Sequence, residues 1–68
     1  MTVISQKRDL VFNFDSNILA QRGEYIYLHI DKKDIEIGKY KSQERAQEVL
    51  KDMIEKNVIE VEYYMPEV

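Results

Sequence analysis

The chain has 68 residues, ten Lys and Arg against thirteen Asp and Glu, a net charge of -3, and no cysteine. That length makes one domain, buries only about 60% of the surface exposed by the unfolded chain, and with no cysteine excludes disulfides and thiolate metal sites as staples. A 44% hydrophobic content is that of a folded domain, not a disordered tail. The negative balance argues against duplex nucleic acid as the default ligand, because phosphate binding rests on basic patches. No apolar run reaches a bilayer-spanning length, and the first residues lack a signal peptide's basic start and apolar stretch, so the expectation is a cytoplasmic protein with no membrane partner.

In chain order, Val3-Ile4-Ser5 and Leu10-Val11-Phe12-Asn13-Phe14 are β-prone runs separated by the polar group Gln6-Lys7-Arg8-Asp9. They predict a hairpin with a four-residue loop, since Lys7-Arg8 contains no Gly or Asn to take positive φ. Asp15-Ser16-Asn17 is a turn cluster, followed by a second hairpin in which Ile18–Gln21 and Glu24–Ile30 flank Arg22-Gly23. Within it Ile26, Leu28 and Ile30 alternate with Tyr25, Tyr27 and His29, which sends the two sets to opposite faces. Asp31-Lys32-Lys33-Asp34 turns the chain into Ile35–Tyr40. Closing that turn symmetrically sets Ile30 opposite Ile35, His29 opposite Glu36, Leu28 opposite Ile37 and Tyr25 opposite Tyr40.

Ser42 is an N-cap residue, and Ala46, Val49, Leu50, Met53 and Ile54 recur at helical spacing, so a helix is predicted over about 42–56. Asn57 is expected to end it in the left-handed conformation. Val58–Tyr64 resumes a two-residue period, with Ile59, Val61 and Tyr63 on the inner face of a final strand. The predicted fold is α+β: an antiparallel β-meander of five to six short strands with one helix packed on one face, in the chain order β-β-β-β-β-α-β. Residues 1–68 form the single domain, with 65–68 as a frayed tail after the last strand.

Three stretches carry a resemblance. Val3-Ile4-Ser5-Gln6, Ile37-Gly38-Lys39-Tyr40-Lys41-Ser42-Gln43-Glu44-Arg45-Ala46-Gln47-Glu48-Val49-Leu50 and Tyr64-Met65-Pro66-Glu67 resemble the V-I-S-Q opening, the G-x-Y-x-S-x-E-x-A strand-to-helix passage and the closing Y-M-P-E of a family of small proteins from Gram-positive bacteria, their phages and prophages. The middle stretch is largely the physics of a capped amphipathic helix; the ends are more specific. Where the family favours Asp-Gly in the first turn, this chain has Lys7-Arg8. The resemblance implies a small cytoplasmic protein of mobile-element character and carries no reaction, cofactor or catalytic residue with it.

Chemistry is sparse. His29 is the only histidine, so no His-rich metal site or Cys-His pair forms within one chain, and Glu36 is its expected cross-strand neighbour. Asp31 and Asp34 lack the ligand ladder and glycine of a calcium loop, and the two isolated glycines make no phosphate cradle. No catalytic residue, metal or cofactor is assigned, and the chain is read as a non-enzyme.

Three surfaces remain. Tyr25, Tyr27 and Tyr40, with His29 beside them, make an aromatic patch on the sheet face away from the helix, suited to a protein partner or a homodimer. The competing reading has Phe12 and Phe14 fold over these rings as a second small core. An open strand edge is the second surface, the last strand being the candidate for homodimer pairing because Glu60 and Glu62 call for a neighbour with Lys or Arg, which the first hairpin offers in Lys7 and Arg8. Glu44, Glu48, Asp52, Glu55, Glu60 and Glu62 form an acidic face that suits either plain solvation or imitation of a phosphate backbone against a nucleic-acid enzyme. Single-stranded nucleic acid stacking on the tyrosines, with Lys7, Arg8, Lys32 and Lys33, is the alternative from another class.

Overall fold

In the computed structural model, which describes all 68 residues, strands β1 (Thr2–Ile4), β2 (Val11–Asn13), β3 (Ile18–Arg22), β4 (Tyr25–Ile30) and β5 (Lys33–Lys39) precede helix α1 (Gln43–Lys56) and strand β6 (Glu62–Tyr64). The chain order is the expected one, but the strands form two sheets: β2-β1-β6 and β3-β4-β5. A 3-10 turn at Phe14–Ser16, capped by the Asn13 side chain accepting from the Asp15 N–H, intervenes between β2 and β3 and divides the meander. The helix then carries the chain back across the molecule, so β6 lies parallel to β1, with Thr2 opposite Glu62 and Ile4 opposite Tyr64. One sheet is built from the two ends of the chain and the other from its middle.

The first loop is formed as expected. The Ser5 N–H donates to the Leu10 carbonyl at 2.9 Å, which leaves Gln6–Asp9 as a four-residue connection. Buried Ser5 holds it from within, its Oγ donating to Asp9 and accepting from the Leu10 N–H. Arg8 supplies the positive φ, 64°, despite having no glycine there. In the second hairpin Gly23, at φ 57°, occupies the first position of a two-residue turn, where an L side chain would be strained.

The third turn differs from the expectation. Asp31 and Lys32 both adopt positive φ, 51° and 65°, giving a two-residue turn of the I′ type and shifting the pairing: Ile30 meets Lys33, His29 meets Asp34 and Leu28 meets Ile35. A bulge between Ile26 and Tyr27 then inserts one residue into β5, so Ile26 faces Gly38 and Tyr25 faces Lys39. The bulge re-phases the strand: Lys39 faces outward, while Ile37 and Tyr40, 3% and 4% exposed, both enter the core. Gly38 is needed at this point because a Cβ there would lie 2.8 Å from Met65 Cε and 2.9 Å from Tyr40 Cε2.

The core joins all three layers of sequence: Val3 from β1, Ile26 and Leu28 from β4, Ile37 and Tyr40, Ala46, Val49 and Met53 from the helix, and Tyr63 and Met65 from the last segment. Phe12 and Phe14 pack against this cluster. Ser42 caps the helix as predicted, its Oγ accepting the Arg45 N–H at 3.1 Å. Asn57 does not take the left-handed stop; it stays right-handed at φ -59°, and the N–H groups of Ile59 and Glu60 turn back to the Lys56 carbonyl instead. That turn shortens the last strand. Ile59 and Val61, expected on its inner face, are 71% and 83% exposed, and only Tyr63 is buried.

Residues 65–68 are held, not frayed. Met65 is fully buried and donates its N–H to Ile4; Arg8 donates to the Met65 carbonyl at 2.7 Å, Tyr40 to Pro66 at 2.8 Å, Gln6 to Glu67 at 3.0 Å and Arg45 to Val68 at 3.0 Å. Gln6 also ties the two sheets together. Its backbone N–H donates to Ile37, and its side-chain amide both accepts from the Lys39 N–H at 2.7 Å and donates to the Lys39 carbonyl at 2.8 Å, acting as one more residue of strand partner along the edge of β5.

Candidate functional site

The register of β3-β4-β5 fixes what its outer face displays. Arg22, Tyr25 and Lys39 form one cross-strand row, Ala20, Tyr27 and Glu36 the next, and Ile18, His29 and Asp34 the third. Tyr25 and Tyr27, two residues apart on one strand, stack with ring centroids 5.9 Å apart and planes inclined by 23°. Each ring carries a cation. The Arg22 guanidinium lies 5.3 Å from the Tyr27 centroid, and Lys39 Nζ lies 5.7 Å from that of Tyr25.

Asp34 organises the rest of the face. It accepts from Arg22 Nη1 at 2.8 Å and sits 2.8 Å from His29 Nδ1, which orients the guanidinium over Tyr27 and the imidazole beside it. The hydrogen bond from Arg22, followed by that from His29, holds the Asp34 carboxyl below the usual carboxylate range, and Asp34 in turn raises the Arg22 pKa. His29 therefore pairs with Asp34 and not with Glu36, which lies opposite Tyr27. The two-residue turn is the cause.

Of the four residues expected on this patch, the structure brings Tyr25, Tyr27 and His29 together and removes Tyr40. The bulge turns Tyr40 inward, where burial pushes its phenol up to about 12 and its hydroxyl donates to Pro66. The Arg45 guanidinium covers the ring from outside at 5.8 Å. Phe12 and Phe14 pack on the core, so the first hairpin does not supply the second small core over the tyrosines. Sequence reading missed Arg22, Asp34 and Lys39 as members of the face. The missed signal was Asp31-Lys32 itself, since a two-residue turn with Asp in the left-handed region moves Asp34 next to His29.

The six carboxylates of the acidic face are only partly free. Glu48 pairs with Arg45 at 3.4 Å, and Asp52 pairs with Lys56 at 3.7 Å and accepts the Tyr63 hydroxyl at 2.9 Å. Burial, reinforced by that bond, raises the Tyr63 pKa. Between helix and last strand runs a shallow groove of about 430 Å³, floored by Val49, Tyr63 and Pro66 and walled by Glu48, Lys51 and Asp52. Glu55 also lines it, while Glu44, Glu60 and Glu62 are exposed. Of the basic residues proposed for nucleic acid, Arg8 is occupied by Ser5, Met65 and Glu67. No helix is long and apolar enough to cross a membrane. Comparison of the chain with protein-family models, curated proteins and solved structures found no match.

Proposed function

We propose that this chain is a non-catalytic protein-interaction module, encoded on a phage or prophage, which binds a host or phage protein through the outer face of β3-β4-β5. The observation that carries the reading is the stacked Tyr25–Tyr27 pair, left outside the core and flanked by Arg22 and Lys39. Tyrosine and arginine are the residues that supply most binding energy at protein interfaces, because they bury large area at small entropic cost and keep a polar tip. Here they are already ordered. Asp34 fixes Arg22, and the neighbouring ring fixes each tyrosine, so little side-chain freedom remains to be lost on docking.

The family resemblance supports the mobile-element part of this reading. In the fold its two distinctive ends lie together: Ile4 accepts from Met65, and Gln6 donates to Glu67. Such residues serve the fold. Capture from a Gram-positive lysate, compared between the wild type and Tyr25→Ala/Tyr27→Ala, followed by binding of the purified pair, tests the proposal. A reconstituted complex that the double variant retains at full affinity would refute it.

A second reading rests on the same cations. Arg22 and Lys39 stand beside stackable rings, the arrangement that binds single-stranded RNA or DNA. Salt-titrated binding to short single strands distinguishes the two, since a nucleic-acid site loses affinity steeply as salt rises.

A further inference from the structure

From the open edge of the end-built sheet we infer that the chain forms a two-fold homodimer by antiparallel pairing of β6 with β6 of a second copy, a surface separate from the tyrosine face. On β6, the parallel ladder with β1 uses alternate residues: Val61 accepts from Thr2 and Met65 donates to Ile4, which places Tyr63 between them on the same side. The N–H and C=O of Glu62 and Tyr64 are therefore directed away from β1, along an edge that no other strand pairs. An edge of this kind binds another strand.

Register and charge select a second copy as the occupant. A two-fold axis through Tyr63 sets Glu62 of one copy opposite Tyr64 of the other, twice over, so the N–H and C=O of both residues are satisfied by each other. It avoids placing Glu62 against Glu62. Tyr64 already carries the Arg8 guanidinium 5.4 Å from its ring centroid, and Arg8 remains 37% exposed. Arg8 Nη1 is taken by the Ser5 and Met65 carbonyls, but Nη2 pairs with exposed Glu67 only loosely, at 3.7 Å, so pairing brings the Glu62 carboxylate of each copy to the Nη2 of the other copy's Arg8. Glu62, which repels acidic or apolar foreign strands, thus meets a matching cation on its own kind.

Apolar exposure adds to this: in the segment leading into β6, Val58, Ile59 and Val61 are 83%, 71% and 83% exposed, aliphatic surface that the folded monomer leaves in water. Val61 of one copy comes opposite Met65 of the other in this register.

The test is sedimentation of the whole chain from micromolar to millimolar concentration, with amide hydrogen exchange read at Glu62 and Tyr64. A concentration-dependent dimer is expected, with those two amides gaining protection as it forms while Val11, whose N–H points away from β1 on the opposite edge strand, does not change. Glu62→Lys, which sets two cations together, should weaken association at least about tenfold, and Glu62→Gln should weaken it less. Circular dichroism of dilute variants checks that the monomer fold is intact. A constant monomer mass across the range would overturn the inference, as would a dimer whose Glu62 and Tyr64 amides stay unprotected or whose strength Glu62→Lys leaves unchanged.

Discussion

Gln6 is the residue through which the two sheets and the C-terminal segment are joined, and its removal should be costly although the residue is only half-buried. Its side chain accepts from the Lys39 N–H at 2.7 Å and donates to the carbonyls of Lys39 and Glu67 at 2.8 and 3.0 Å. Each neutral hydrogen bond contributes a net of about 0.5–1.5 kcal/mol, and water recovers part of that at a half-buried site, so Gln6→Ala should lose about 2 kcal/mol. For 68 residues at the usual stability per residue the whole margin is about 3–10 kcal/mol. A loss of 2 kcal/mol should then lower Tm by about 8–16 °C in a domain of this size. Gln6→Glu gives a sharper comparison. It keeps the acceptor for Lys39 but sets a carboxylate against two carbonyls, so at neutral pH it should be less stable than Gln6→Ala and should recover as acid protonates it. Urea melts of the two variants at neutral and acidic pH are the assay. A Gln6→Ala protein that melts with the wild type would show that the amide only fills an edge that water serves equally well.

Three further outcomes follow from the geometry. Met65, fully buried against Gly38, should cost about 2–5 kcal/mol on Met65→Ala and under about 1.5 kcal/mol on Met65→Leu, read by chemical denaturation. At high pH the unfolded chain ionises its tyrosines near the ordinary value of about 10, whereas buried Tyr40 resists up to about 12 and Tyr63 is likewise raised. Protons are thus lost first from the unfolded state, stability falls across that window, and Tyr40→Phe should flatten the fall in pH-dependent melts. Asp34 gives the opposite limb: its lowered pKa contributes stability that is present above the ordinary carboxylate value and lost as pH falls through the folded one, so Asp34→Asn should remove that acid dependence while His29→Gln leaves the fold intact.

Much of the architecture was legible because local chemistry decided it. The Ser42 cap and the Ala46/Val49/Met53 stripe define a helix wherever they occur, and the alternation of Tyr25–Ile30 defines a two-faced strand. Both stand as read, as does the four-residue first loop. The sequence also placed Tyr25, Tyr27 and His29 on one face, because side-chain alternation within a strand does not depend on what pairs with it.

Pairing was a different matter, since it depends on events at a distance. Symmetric closure of the third turn looked sound because each apolar residue found an apolar neighbour, yet a shift by two residues preserves every face, so the pattern could not choose between them. The left-handed pair Asp31-Lys32 chose. The bulge that buries Tyr40 answers to Met65, which must reach the backbone of Gly38 from the other end of the chain. Likewise the expected fraying of 65–68 followed from Pro66 and its nearness to the chain end read alone, whereas Gln6 and Arg8 from the first loop, Tyr40 and Arg45 all converge on that segment. Periodicity and capping act within a few residues and were therefore written in the sequence; register, sheet partition and the clamped end arise from contacts between segments far apart, and only the folded chain brings those together.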